Sequence, residues 1–227
     1  MAAMHPLVEQ VQRELRPLER RIREHPYLQA VEKGAMPRDK LRLFVGEQRH
    51  IIESDLSSVA LMVSRCATPA GRRFFLQVLQ GEDAALGALH QLAAALGLDE
   101  AWLRAYEPSP ECQAYPHFMA WMALHAAEAE MAGALVINFA AWGANCERLD
   151  AALRARYRLG ADATSFFQLF AAPPSPELQE AATAVLEDGL AGGVSAARIR
   201  RAARLLQASE LMFWDGIQRA SAEAGLP

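Results

Sequence analysis

Apolar residues recur at steps of three and four along most of the chain, which is the period of a helix with one buried face. Between about residues 38 and 65 the positions Leu41, Phe44, Val45, Ile52, Leu56, Val59 and Met62 form one such stripe. No β-branched run alternates for more than a few residues, so no strand is predicted. Ala, Leu, Arg, Glu and Gln, all good helix formers, fill the segments between Pro and Gly punctuation at Pro26, Gly34, Pro37, Pro69, Gly97, Pro108, Gly160, Pro173 and Gly192. The pattern predicts helices over about 6–23, 38–65, 70–96, 112–130, 131–158, 163–171, 176–190 and 195–223. Thr68 before Pro69 and Ser175 before Pro176 are suited to N-caps, and Asp99 to capping a short helix with Trp102 and Leu103. No segment has the composition of an interdomain linker and no repeat is present. The expected architecture is all-α: a single helical bundle over residues 1–227, with 1–23 a partly separate N-terminal helix.

Composition narrows the class. With 52% hydrophobic and 22% charged residues the chain is globular rather than disordered. A net charge of −4 and no long basic run argue against a nucleic-acid partner. The one basic cluster, Arg198, Arg200, Arg201 and Arg204, has the spacing of a solvated helix face. Cys66, Cys112 and Cys146 are odd in number and far apart, so neither a disulfide framework nor a zinc ribbon is indicated. The N-terminal region lacks the apolar core of a signal peptide, and the longest apolar run, Ala132 to Trp142, is too short to span a bilayer. The expectation is a reduced, cytoplasmic protein without a membrane partner.

Four segments together resemble the TenA (thiaminase II-like) family. The first is His25-Pro26-Tyr27-Leu28-Gln29, followed by Gly34, Pro37 and Leu41 to Val45. The second is Pro108-Ser109-Pro110 with Tyr115, the third Ala134 to Leu149, and the fourth Ser209-Glu210-Leu211-Met212-Phe213-Trp214. They fall in family order over about residues 24–220. The resemblance implies a haem-oxygenase-like helical fold, association into dimers or tetramers, and hydrolysis of a C–N bond on an aminopyrimidine in thiamin salvage or breakdown. It places Glu210 at the family's acid/base glutamate and Tyr115 at a pocket tyrosine. Three positions depart from the pattern. Gln48 stands where the family has an aspartate that grips the aminopyrimidine, Asn138 where many members have the nucleophilic cysteine, and Phe170 near a second pocket tyrosine. Cys146 follows Asn138 by eight residues, about 12 Å along a helix, and cannot replace that nucleophile.

Breaking such a bond requires a proton for the leaving nitrogen and a nucleophile or an activated water. Glu210 can supply the proton if burial raises its pKa. Asn138 can donate and accept hydrogen bonds but cannot attack carbon, and Gln48 can pair with a heterocycle edge without an aspartate's charge. In this reading Gln48, Tyr115 and Asn138 orient a small nitrogen heterocycle, Phe44, Phe139, Phe170 and Phe213 wall the pocket, and no cofactor is required. The substitutions equally motivate a non-catalytic ligand-binding or regulatory protein on the same fold. A third reading is a di-iron oxidase. Glu47-x-x-His50 has the spacing of carboxylate di-iron bundles, and Asp83, His90 and Glu128 complete a candidate iron set. Against it, no histidine follows His125 and no second Glu-x-x-His occurs. The other histidines, His5, His25 and His117, are expected to be structural or solvated, and Phe118, Met119, Trp121 and Met122 to pack in the core.

Overall fold

A computed structural model of the chain describes residues 5–223, so the outermost residues of the predicted 1–227 domain lie outside the described ones. Ten α-helices carry the fold and no strand occurs among the described residues. They are α1 Pro6–Arg23, α2 Pro26–Glu32, α3 Leu41–Arg65, α4 Pro69–Ala95, α5 Glu100–Ala105, α6 Ala114–His125, α7 Glu128–Tyr157, α8 Ser165–Ala171, α9 Pro176–Ala191 and α10 Ala196–Glu223. Four starts follow one recipe, a side-chain acceptor followed by proline in the first turn. Thr68 Oγ1 accepts from Gly71 N at 2.9 Å and Ser175 Oγ from Leu178 N at 3.1 Å. His5 and His25 do the same through Nδ1, each accepting at 3.2 Å from the backbone N–H two residues on. Asp99 caps α5 through Trp102 N at 2.8 Å.

The α2 helix departs from the sequence reading, in which Pro26 marks only a break. With His25 as its cap, the proline opens a helix instead. The predicted junction between 130 and 131 also moves. The chain is extended at Ala126 and Ala127, and Glu130 accepts a hydrogen bond from Ala127 N at 2.9 Å, so α7 begins at Glu128. Glu128 ties that end to α4, accepting from Ala67 N at 2.6 Å and Thr68 Oγ1 at 2.8 Å. Two of the clustered arginines are paired, Arg198 with Glu130 and Arg200 with Glu14, both at 2.6 Å.

The long helix α7 runs through the middle, touching α1, α2, α6, α8, α9 and α10. Gly133 permits a close approach of α10, since a Cβ there would stand 2.6 Å from Ile199 Cγ2. The core has two halves. One gathers Phe44, Phe166, Phe167, Phe213 and Trp214, and the other Phe74, Phe75, Met119, Met131 and Leu206. Met119 and Met122 are buried as expected, but Trp121 is 51% exposed, stacked on Phe118 at the surface. Tyr115 packs against both halves, and the buried polar residues Gln48, Asp55, Asn138 and Glu210 lie beside it. No described helix is long and apolar enough to cross a membrane.

One contact pins the loop that delivers α6. The ring of Tyr106 lies flat against Gly46 of α3, where an added Cβ would stand 2.5 Å from the ring. Gly46→Ala should therefore displace the ring and cost about 1–3 kcal/mol in denaturant unfolding. An alanine variant as stable as the parent would show that this contact is not tight.

Candidate functional site

A pocket opens at the seam between the core halves. Its cavity volume is about 50 Å³, room for a few waters or a small planar group, and it opens toward solvent. Helix periodicity explains what each element delivers. From α3 come Gln48, Ile51, Ile52 and Asp55, residues about one turn apart on one face. From α7 come Asn138, Phe139 and Trp142, and from α10 Glu210 and Phe213. Tyr115 of α6, Glu82 of α4 and Phe170 of α8 complete the wall. A wider groove outside shares Glu82, Phe139, Trp142 and Phe170 with the pocket, so these four form its mouth.

The centre is a chain of hydrogen bonds. Tyr115 donates its hydroxyl to Asn138 Oδ1 at 3.2 Å. Asn138 donates through Nδ2 to Glu210 Oε2 at 2.6 Å, and Trp214 Nε1 donates to Glu210 Oε1 at 3.1 Å. The amide takes this sense when Glu210 is ionised, because a carboxylate can only accept. Glu210 is 2% exposed. Burial pushes its carboxyl from 4.5 up to about 7, against the opposing pull of the two donors. Burial, then the charges of Asp55, Glu82 and Glu210, raises Tyr115 well above the ordinary phenol value, so it stays neutral.

Gln48, Tyr115, Asn138, Phe139, Phe170, Phe213 and Glu210 are thus brought together. Phe44 is not at the wall. It sits one layer behind, 3% exposed, against Trp142, Phe167 and Phe213, and supports their rings. Asp55, Glu82 and Trp142 line the pocket without having been singled out in the sequence. For Asp55 and Trp142 a signal existed, since they follow Gln48 by seven residues and Asn138 by four, on the same helix faces. For Glu82 there was none.

The candidate iron ligands are dispersed. Glu47 accepts from Tyr106 Oη and from Ser109 N, both at 2.9 Å. His50 Nε2 meets the Tyr106 carbonyl at 3.0 Å. Both therefore clamp the loop before α6. His90 faces Glu100 at 3.7 Å, Glu128 holds the start of α4, and Asp83 is exposed. Among the described residues no three His, Cys, Asp or Glu side chains converge to hold a metal ion. No cysteine lines the pocket either. Cys66, Cys112 and Cys146 are buried and free, with burial raising each thiol, that of Cys66 to about 11.

A carboxyl whose folded-state pKa exceeds its unfolded value holds extra proton in the folded state between the two. Stability then falls as pH rises from about 4.5 to about 7. Glu210→Gln should remove on the order of 1–3 kcal/mol of that decline, leaving the part that arises from Glu47, Asp55 and Glu82. Unfolding measured across this window checks it, and an unchanged slope would mean that Glu210 ionises normally.

Comparison with known proteins places this geometry. The model of the TENA/THI-4/PQQC family matches residues 12–217. No curated protein matches. Among solved structures, a TenA homologue from P. horikoshii is 18% identical with a TM-score of 0.73, covering 96% of this chain and 99% of that one. A TenA homologue from Pseudomonas syringae is 14% identical with a TM-score of 0.75, covering 95% and 94%. Haem oxygenase-1 from the cyanobacterium Synechocystis, solved with haem, is 14% identical with a TM-score of 0.64, covering 97% and 96%. The fold is therefore haem-oxygenase-like.

Proposed function

Since the chain belongs to the TENA/THI-4/PQQC family, we propose that it binds a small nitrogen heterocycle in the seam pocket and hydrolyses a C–N bond on it, with Glu210 as the proton donor. The observation that carries this reading is the Glu210 carboxyl itself. It is buried at the pocket wall, held by two donors, and raised to about 7, which suits a group that must give up a proton near neutral pH.

Gln48 offers a donor and an acceptor to a heterocycle edge, and Phe139, Phe170 and Phe213 offer apolar faces for its ring. With no thiol at the wall, water is the nucleophile. Its oxygen bonds to the carbon as the C–N bond breaks, Glu210 gives its proton to the leaving nitrogen, and the proton released by the water restores the carboxyl. Asn138 is a positioning residue. Its donated hydrogen bond aims Glu210 and favours the ionised form reached after proton transfer.

Incubation with thiamin and with aminopyrimidines bearing a C–N bond at the methyl carbon tests the proposal. Turnover should fall as pH rises above about 7, and Glu210→Gln should lower kcat by about 10²–10⁴. One feature favours a second reading, a non-catalytic binding protein: both Glu210 oxygens are already engaged by Asn138 and Trp214. Saturable binding with no turnover would establish it, and turnover abolished in Glu210→Gln would exclude it. Neither binding nor turnover would contradict both.

A further inference from the structure

The acid/base scheme leaves part of the pocket unused. Asp55 of α3 lines it and is 3% exposed, yet its Oδ1 is buried without a hydrogen-bond partner. An orphaned buried carboxylate oxygen is costly unless something pairs with it. Across the α3–α4 hairpin Glu82, partly exposed, lines the same wall and also the groove outside. The charged and titratable groups facing this pair are Tyr115 from α6 and Glu210 from α10. No lysine, arginine or histidine lines the pocket. Three carboxyls therefore line one pocket with no cation of the protein's own among its lining residues. Burial, with Glu82 beside it, pushes Asp55 well above the carboxylate range, and burial brings Glu82 to about 7. The rings of Phe139, Trp142 and Phe170 at the mouth add faces that attract a cation.

We infer that the ligand is cationic: a compound in which an ammonium or amidinium group is attached to a flat ring, with its positive end seated between Asp55 and Glu82 and its ring toward Gln48 and Tyr115. A cation there supplies the partner that Asp55 Oδ1 lacks and offsets the negative charge of the two carboxylates. The departures at Gln48 and Asn138 then make sense together, since the negative charge that grips the ligand comes from another stretch of α3. This inference rests on the seam pocket being a ring-binding site, but not on hydrolysis.

The test uses matched probes of equal shape, benzamidine against benzamide and benzylamine against benzyl alcohol, with affinities measured by calorimetry or ligand-detected NMR at one pH for both members of each pair. The cationic member should bind at least about tenfold more tightly in the parent protein. That ratio should fall toward one in Asp55→Asn and in Glu82→Gln, the second change lying at a partly exposed position that tolerates substitution. Equal affinities within each pair would overturn the inference while leaving a ring-binding site standing. A cation preference that survives both substitutions would overturn it too, by putting the charge elsewhere. No binding of any probe would overturn the inference and the ring-binding site together. A preference lost in both variants, with no turnover of aminopyrimidines, would uphold it and sink hydrolysis alone.

Discussion

The structure depends most on a carboxyl group kept out of water at the seam of two apolar clusters. An ionisable side chain in that position is expensive unless its lone pairs are filled. Much of the architecture supplies the filling. Helix α7 passes through the middle and presents Asn138 to Glu210, and Trp214 lies one turn beyond Glu210 on its own helix. Gly133 lets α10 approach α7, and Tyr115 closes the far side of the asparagine. Behind these, Phe44, itself packed on Phe167, backs the rings of Trp142 and Phe213 without reaching the pocket.

The same residue type does two different jobs in this interior, and its hydrogen-bond partners decide which. Glu47 is as little exposed as Glu210, but it accepts from a hydroxyl and a backbone N–H of the loop at Tyr106 and Ser109. It anchors that loop and, through it, the start of α6 that carries Tyr115. Asp55 and Glu82 resemble neither case. Both line the pocket from neighbouring helices, Asp55 Oδ1 is buried with no partner, and for Asp55 the charge of Glu82 adds to desolvation. A pocket lined this way is acidic and bounded by aromatic rings, a combination suited to a flat cation.

Much of the fold was legible because helix periodicity, prolines and cap residues agree along the chain. Thr68, Ser175 and Asp99 cap where the sequence suggests. The α2 helix was not legible, because Pro26 signals a break as strongly as a start and only the His25 side chain decides between them. The junction before α7 has no Pro or Gly and is set by a side chain, Glu130, reaching back to Ala127. In the site, Glu210, Asn138, Gln48 and Tyr115 were legible as neighbours through the family resemblance, and they do converge. Glu47 and His50 misled because their one-turn spacing suits a metal and a loop clamp equally, and only the position of Tyr106 separates the two. Asp55 hid within an apolar stripe as a polar residue at a buried position, and Glu82 carries no local mark at all.

The central claim is that Glu210 stays protonated near neutrality because of where it is buried. Carbon-13 NMR of protein labelled at the glutamate side-chain carboxyls reads this directly. The account predicts two resonances titrating near pH 7, one from Glu210 and one from Glu82, with the first absent in Glu210→Gln. If the resonance lost in that variant instead titrates near 4.5, the ordinary glutamate value, the carboxyl is not desolvated and the account fails at its foundation.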